Sequence, residues 1–234
     1  MSKQVPPEVP RAVFFVATPG ERRAIIGDHL GNAHVVLTGV GPANAARTAH
    51  QTLAALAAQG RPSVVVVGIG GALAPSLSVG DVVLGTNTLA TEGAPLPGCA
   101  TGLSRLAARL AATGRPVYQG DHLTVPYVVC QAMEKRRLHQ QTGAWVVDME
   151  SHAIAQVVQR YALPLLLVRV ISDDARQDLP NLNAGFGDNY HLRPLGMTAA
   201  LLANPLAAGR FLGNLRLAIR ELRQVVRVCF AGEF

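Results

Sequence analysis

The chain has 234 residues, nearly half of them hydrophobic (49%) and few aromatic (5%), which suits one α/β domain built from small apolar side chains. No apolar run is long enough to span a bilayer, and three scattered cysteines (Cys99, Cys130 and Cys229) exclude a disulfide framework and a thiolate metal cluster, so reduced thiols in a cytoplasmic protein are expected. The formal charge of +6 is an arginine excess, much of it after Arg193; it is compatible with an anionic substrate or membrane surface, and less with nucleic acid, because the basic residues are not interleaved with aromatics.

Residues 1–10 are polar and proline-rich and read as a loose tail without a secretory leader, so a single domain is expected over 11–234. An apolar run predicts the first strand over 12–17. Thr18-Pro-Gly-Glu21 turns out of it into a helix over 22–29. Glu21 then stands at a strand's carboxyl end, either facing a ligand mouth or complementing the helix dipole. A strand over 34–37, a turn at Thr38-Gly-Val-Gly-Pro and an alanine-rich helix over 44–59, stopped by Gly60 and Pro62, follow.

The β-branched run 64–67 predicts a central buried strand. Gly68-Ile-Gly-Gly71 comes next. Glycines after a strand let backbone N–H groups approach a ligand, so Gly68, Ile69 and Gly70 are candidates for the floor of a binding site; a plain tight turn is the alternative. The spacing is not a dinucleotide fingerprint. Beyond it come a strand over 82–86, a loop over 91–102 and a helix over 103–112. Two short strands at 117–118 and 123–125 bracket Gly120-Asp121-His122, where His122 reads as a surface or hydrogen-bonded histidine. A helix over 132–141 ends at Gly143.

The stretch 145–174 carries the strongest pattern. An apolar run ends in Asp148-Met-Glu150, a helical run follows, and a second apolar run ends in Ser172-Asp-Asp174. Two strands joined through one helix predict a βαβ unit with parallel strands. Glu150 and Asp173 then lie past strand carboxyl ends, where open α/β sheets bind ligands, with Arg169 close in sequence. On pattern alone these acids read as readily as helix caps or salt-bridge partners, and Asp148 or Ser151 fits a cap.

Asp148-Met-Glu-Ser151 followed by Arg169-Val-Ile-Ser-Asp173 resembles the paired signature of the nucleoside phosphorylase and nucleosidase superfamily, in particular the methylthioadenosine/S-adenosylhomocysteine nucleosidases. The resemblance extends through Gly68-Ile-Gly-Gly-Ala-Leu-Ala-Pro75, Val79-Gly-Asp-Val-Val83 and Thr38-Gly-Val-Gly-Pro-Ala-Asn-Ala-Ala46, covering about 11–175. The tail, with Leu179-Pro180 and Arg193-Pro194, is similar to hopanoid-associated phosphorylases, which implies adenosylhopane as a substrate. The implied fold is a three-layer α/β domain: a mixed, mainly parallel central sheet flanked by helices. The implied assembly is a homo-oligomer, a dimer by resemblance.

Cleaving an N-ribosidic bond requires a proton for the departing purine and negative charge beneath an oxocarbenium-like ribosyl group. The resemblance gives the first task, at N7, to Asp173 and the second, through the ribose hydroxyls, to Glu150. Met149 would pack under the sugar, Arg169 would orient Glu150 or the nucleophile, and Glu21 would position water. Tyr127 would stack on the base, and Ser172 joins the substrate-binding set. Many relatives have a serine where this chain has Ile69, which cannot donate a hydrogen bond. Phosphate would then need Arg22, Arg23 or backbone donors, so hydrolysis is preferred over phosphorolysis. No metal or cofactor is implied. A silent nucleoside-binding protein remains the alternative of a different class.

At the C-terminus a helix over 205–228 places Phe211, Leu212, Leu215, Ile219, Leu222, Val225 and Val226 on one stripe, and Arg216, Arg220, Arg223 and Arg227 on another. Either the helix packs on the domain with a solvated basic face, or that face meets anionic lipid.

Overall fold

In a computed structural model, which describes residues 10–57 and 59–232, the chain forms one eight-stranded mixed sheet with helices on both faces. Strand β1 (Ala12–Val16) lies parallel between β2 (Ala33–Leu37) and β3 (Ser63–Ala72), and β8 (Leu165–Asp173) runs parallel on the far side of β3. β4 (Val82–Ala90) is antiparallel to β8 and to the two-residue β5 (Leu96–Pro97), and parallel to β6 (Tyr118–Thr124). β7 (Val146–Asp148) joins β6 in parallel and returns to the end of β3 in antiparallel. The pairings β3, β8, β4, β6, β7 and back to β3 form a closed circuit, so the sheet curls on itself at that end.

Successive strand residues point to opposite faces, and here both faces are covered. Phe14, Val65, Val67 and Val168 meet α1 (Pro19–Ile25), α3 (Ala100–Ala111) and α7 (Pro205–Phe230) on one side. Val13, Phe15, Val64, Val66 and Leu167 meet α2 (Pro42–Ala57) and α5 (Ser151–Arg160) on the other. That double burial is why 64–67 is β-branched without alternation. Phe230 closes the first face edge-on against Phe14, ring centroids 4.9 Å apart. The loose tail expected over 1–10 lies, except for Pro10, outside the described residues.

Several local expectations need correction. Gly68–Gly71 is no turn: β3 runs through it to Ala72, paired with β8. β7 and β8 do not form a parallel βαβ unit. β3 is parallel to β8 but antiparallel to β7, so β7 and β8 run toward each other and their carboxyl ends converge on the glycines of β3. The segment around Gly120 is one continuous strand, and His122 is fully buried with neither ring nitrogen in a well-formed hydrogen bond. Burial drives its pKa down to about 4, since a buried imidazolium would lose its hydration; nearby Arg169 acts in the same direction.

The C-terminal helix packs on the domain and leaves its basic face exposed. Leu222, Val225 and Val226 are buried in the core, whereas Arg216, Arg220, Arg223 and Arg227 are exposed. Before it, α6 (Pro194–Ala203) meets α7 at a bend of 115°. Among the described residues no single helix is long and apolar enough to cross a membrane.

Candidate active site

The site begins with the missing side chains of β3. A Cβ on Gly68 would run into the Glu21 carboxylate and lie 2.8 Å from an Arg169 guanidinium nitrogen. A Cβ on Gly70 would lie 2.8 Å from Val146, and one on Gly71 would lie 2.9 Å from the Asp173 carboxylate. Real Cβ atoms do not approach so closely. The glycines are there so that charged side chains from neighbouring elements can close over the strand.

Glu21 reaches this point from α1. Thr18 caps the helix, its Oγ1 accepting from the Glu21 N–H, and Glu21 reaches back in a capping box. One carboxylate oxygen accepts from the N–H groups of Ala17 (3.1 Å) and Thr18 (2.8 Å) and from the Thr18 hydroxyl (2.8 Å). The other accepts from the Ile69 N–H at 2.9 Å. The helix-end acid and the pocket acid are therefore one residue. Arg22 and Arg23 project from the exposed face of the same helix, and Arg22 lines a separate cleft with Ile26 and His34. They are not placed to hold phosphate beside Glu21, because a step of one residue on a helix changes face.

Asp148 ends β7 and organises the centre. It accepts from the Thr124 hydroxyl (2.7 Å), from the N–H groups of Glu150 (3.1 Å) and Ser151 (3.0 Å), and from Arg169 Nε (2.9 Å). It thereby ties the entrance of α5 to Arg169, whose charge it neutralises. Burial alone would raise its pKa, but Arg169, His122 and the hydroxyls of Ser151 and Thr124 outweigh that and hold it at about 2. Arg169 also donates to Ser151 Oγ at 3.1 Å and stands 3.9 Å from Glu150. Its strongest tie is therefore to Asp148, and its contact with Glu150 is the looser one.

Glu150 accepts from the Gly41 N–H at 2.9 Å and is buried. Burial, with the Asp148 charge beside it, pushes its pKa up to about 7 against the pull of Arg169. Asp173 comes from the end of β8, where the register shifts between Gly70 and Gly71 and Ser172 is the extra residue. A bulge lets two successive side chains face one side, and both Ser172 and Asp173 line the pocket. Ser172 Oγ is 2.7 Å from one Asp173 oxygen, and Lys135 Nζ is 2.5 Å from the other.

One pocket collects Glu21, Ile69, Gly70, Tyr127, Asp148, Met149, Glu150, Ser172 and Asp173, with Val40, Leu179, Leu182 and Phe211 among its apolar walls. Gly68 and Arg169 stand behind this wall. Tyr127 is fixed by its hydroxyl, which donates to Glu134 at 2.9 Å. Sequence reasoning missed Lys135, Gly41 and Phe211. The neighbours of Lys135, Glu134-Lys-Arg-Arg137, look like a solvated helix face, and nothing in the pattern separates it from them.

The sequence pattern of the phosphorylase superfamily matches residues 6–203. The chain belongs to the phosphorylase superfamily. Over 63 residues it is 36% identical to the 5'-methylthioadenosine/S-adenosylhomocysteine nucleosidase of Mycobacterium bovis, a match spanning 26% of this chain and 24% of that enzyme. The chain thus matches about a quarter of the length of this relative. Its fold matches futalosine hydrolase of Helicobacter pylori at 16% identity, covering 89% of this chain and 97% of that one, with a TM-score of 0.65. It also matches the H. pylori 5'-methylthioadenosine/S-adenosylhomocysteine nucleosidase solved with butyl-thio-DADMe-Immucillin-A: 14% identity, 93% and 98% coverage, TM-score 0.67. Both matches extend over nearly the whole fold described above.

Proposed function

We propose that the protein is a purine nucleosidase that hydrolyses the N-glycosidic bond of an adenine-type nucleoside or derivative. The observation that carries this reading is the convergence of Glu21, Glu150 and Asp173 on one pocket whose nearby guanidinium is already committed to Asp148. Such a site suits a cationic ribosyl group and a neutral water nucleophile, and repels a phosphate dianion. The family resemblance and the nucleosidase activity of the relatives support the same reading.

In this mechanism Asp173 gives a proton to N7 of the purine as the bond to C1' breaks. Glu150, ionised, holds the ribose hydroxyls and stabilises the developing positive charge. Glu21 orients water; the oxygen that takes the Ile69 N–H keeps a lone pair for it. Arg169 is a positioning residue that holds Asp148 and, through it, the turn bearing Glu150. Turnover of adenosine-type substrates with and without phosphate tests the reading. Free adenine and free sugar, formed at equal rates in both, are expected. Ribose-1-phosphate-type product would establish phosphorolysis instead, and binding without turnover would establish a nucleoside-binding protein.

For the nucleoside's substituent we favour a hydrocarbon of the adenosylhopane type, presented from a membrane. Phe211 of α7 lines the pocket, and near it in the chain Leu206 at the start of α7, Leu202 and Leu195 on α6 and Leu192 just before α6 are 58–87% exposed. From Asn189 to Arg220 there is no acidic residue, and Arg193, Arg210, Arg216 and Arg220 supply the charge that anionic lipid attracts. The arginine face of α7 and this leucine ridge together form the proposed contact, on a cytoplasmic protein that forms a homo-oligomer by resemblance. Co-sedimentation with anionic vesicles at low salt tests it: binding lost in a Leu195→Asn/Leu206→Asn variant is expected. Indifference to vesicles, with the same variant dissociating an oligomer, would assign the ridge to a second copy.

A further inference from the structure

Lys135 is a fully buried lysine on α4 (Ala132–Thr142), between the exposed Arg136 and the partly buried Glu134. Its ammonium is 2.5 Å from Asp173 Oδ2 and 2.8 Å from the Asp174 carbonyl. It does not line the pocket, so it meets the proposed proton donor from behind. A buried ammonium costs hydration and is retained where an anion compensates it. The partner here is the carboxyl group assigned to proton transfer, which meets the ammonium as an anion once its proton has left.

The other oxygen of Asp173 is held as well. Ser172 Oγ lies 2.7 Å from Asp173 Oδ1 and 3.2 Å from the Gly70 carbonyl. One hydroxyl proton cannot serve both acceptors. It goes to the nearer, Oδ1, while Lys135 holds Oδ2, so both carboxyl oxygens are fixed in place.

We propose that Lys135 is a positioning residue for proton transfer: it fixes Oδ2, so that Oδ1 is the oxygen turned to the base, and it stabilises the carboxylate that forms as the proton leaves. This rests on the nucleosidase reading. The C1'–N bond breaks, its electron pair passes into the purine, and N7 takes the proton from Oδ1. Asp173 is left as a carboxylate facing an ammonium already in place, and regains a proton from solvent once the base departs. Charge stabilised only as the reaction proceeds lowers the barrier rather than tightening substrate binding.

The test compares a purine nucleoside with 4-nitrophenyl β-ribofuranoside, whose phenolate leaves without protonation. For Lys135→Gln we expect kcat on the purine substrate to fall about 10²-fold, with KM and the rate on the aryl riboside changing less than about 3-fold. Equal losses on both substrates, or no loss on the purine, would overturn the proposal. Should Lys135→Gln fail to fold, Asp173→Asn is compared with Lys135→Met/Asp173→Asn, which removes both charges. Equal purine rates in these two support the role, because Lys135 then acts only through Asp173; a further 10-fold loss in the double variant overturns it. A wild type that cleaves neither substrate sinks the nucleosidase reading and this proposal with it, whereas a wild type that cleaves the purine while Lys135→Gln matches it sinks this proposal alone.

Discussion

Glu150→Gln should make the protein more stable at alkaline pH while disabling it. Glu150 titrates in the folded protein at about 7 rather than its ordinary 4.5, because burial and Asp148 disfavour its charge. A group raised in the folded state contributes stability that is complete below its unfolded pKa and lost as pH rises through the folded one. The window is therefore pH 4.5 to 7. A shift of that size corresponds to a loss on the order of 3 kcal/mol across the window. Glutamine keeps the shape and still accepts from the Gly41 N–H, but has no charge to bury. The expected stability gap between Glu150→Gln and wild type is near zero at pH 4.5 and opens toward about 3 kcal/mol in favour of the variant at pH 8. Urea unfolding of both proteins across this range reads the gap directly. Catalysis moves the other way: without the carboxylate, kcat should fall by about 10²–10³-fold, and wild-type kcat/KM should decline as pH falls through about 7. A gap that does not grow with pH, or a variant less stable than wild type at pH 8, would refute the assignment of buried charge to Glu150.

Asp173→Asn should lower kcat on purine nucleosides by about 10²–10⁴-fold, because the amide keeps the shape but has no acidic proton; ligand binding measured by calorimetry should largely persist. Gly68→Ala should reduce activity at least about 10²-fold, since the new methyl displaces Glu21 and Arg169. Gly209→Ala, on α7 with nothing within 4 Å, should instead leave activity unchanged and raise Tm slightly. Leu222→Ala, at a fully buried position on α7, should cost about 2–5 kcal/mol in urea unfolding.

The strands buried on both faces could be read from sequence because their physics is local. A β-branched run such as 64–67 fits a doubly covered strand and little else. The direction of β7 was hidden for the opposite reason. With three residues, Val146–Asp148, it has no pattern of its own, and its antiparallel pairing to β3 depends on how the sheet closes. The glycines after Val67 offered a turn as readily as a strand. What decides is the crowding of Glu21, Val146, Arg169 and Asp173 above them, which is a property of neighbours far away in the chain.

The pocket follows the same division. Asp148, Glu150 and Asp173 stand at strand ends, so their placement was legible, as was the capping acid Glu21. Their differences were not. Asp148 and Glu150 are two residues apart in one turn and burial raises both, yet Asp148 is held down by Arg169 at 2.9 Å, His122 and two hydroxyls, while Glu150 has Arg169 only at 3.9 Å and the Asp148 charge beside it. The strand register pairs Arg169 with Gly68, where an added Cβ would lie 2.8 Å from the guanidinium. Two like charges so close cannot both be fully compensated by one guanidinium. Satisfying Asp148 leaves Glu150 ready to meet a cation, and the ribosyl cation of the proposed reaction would supply it.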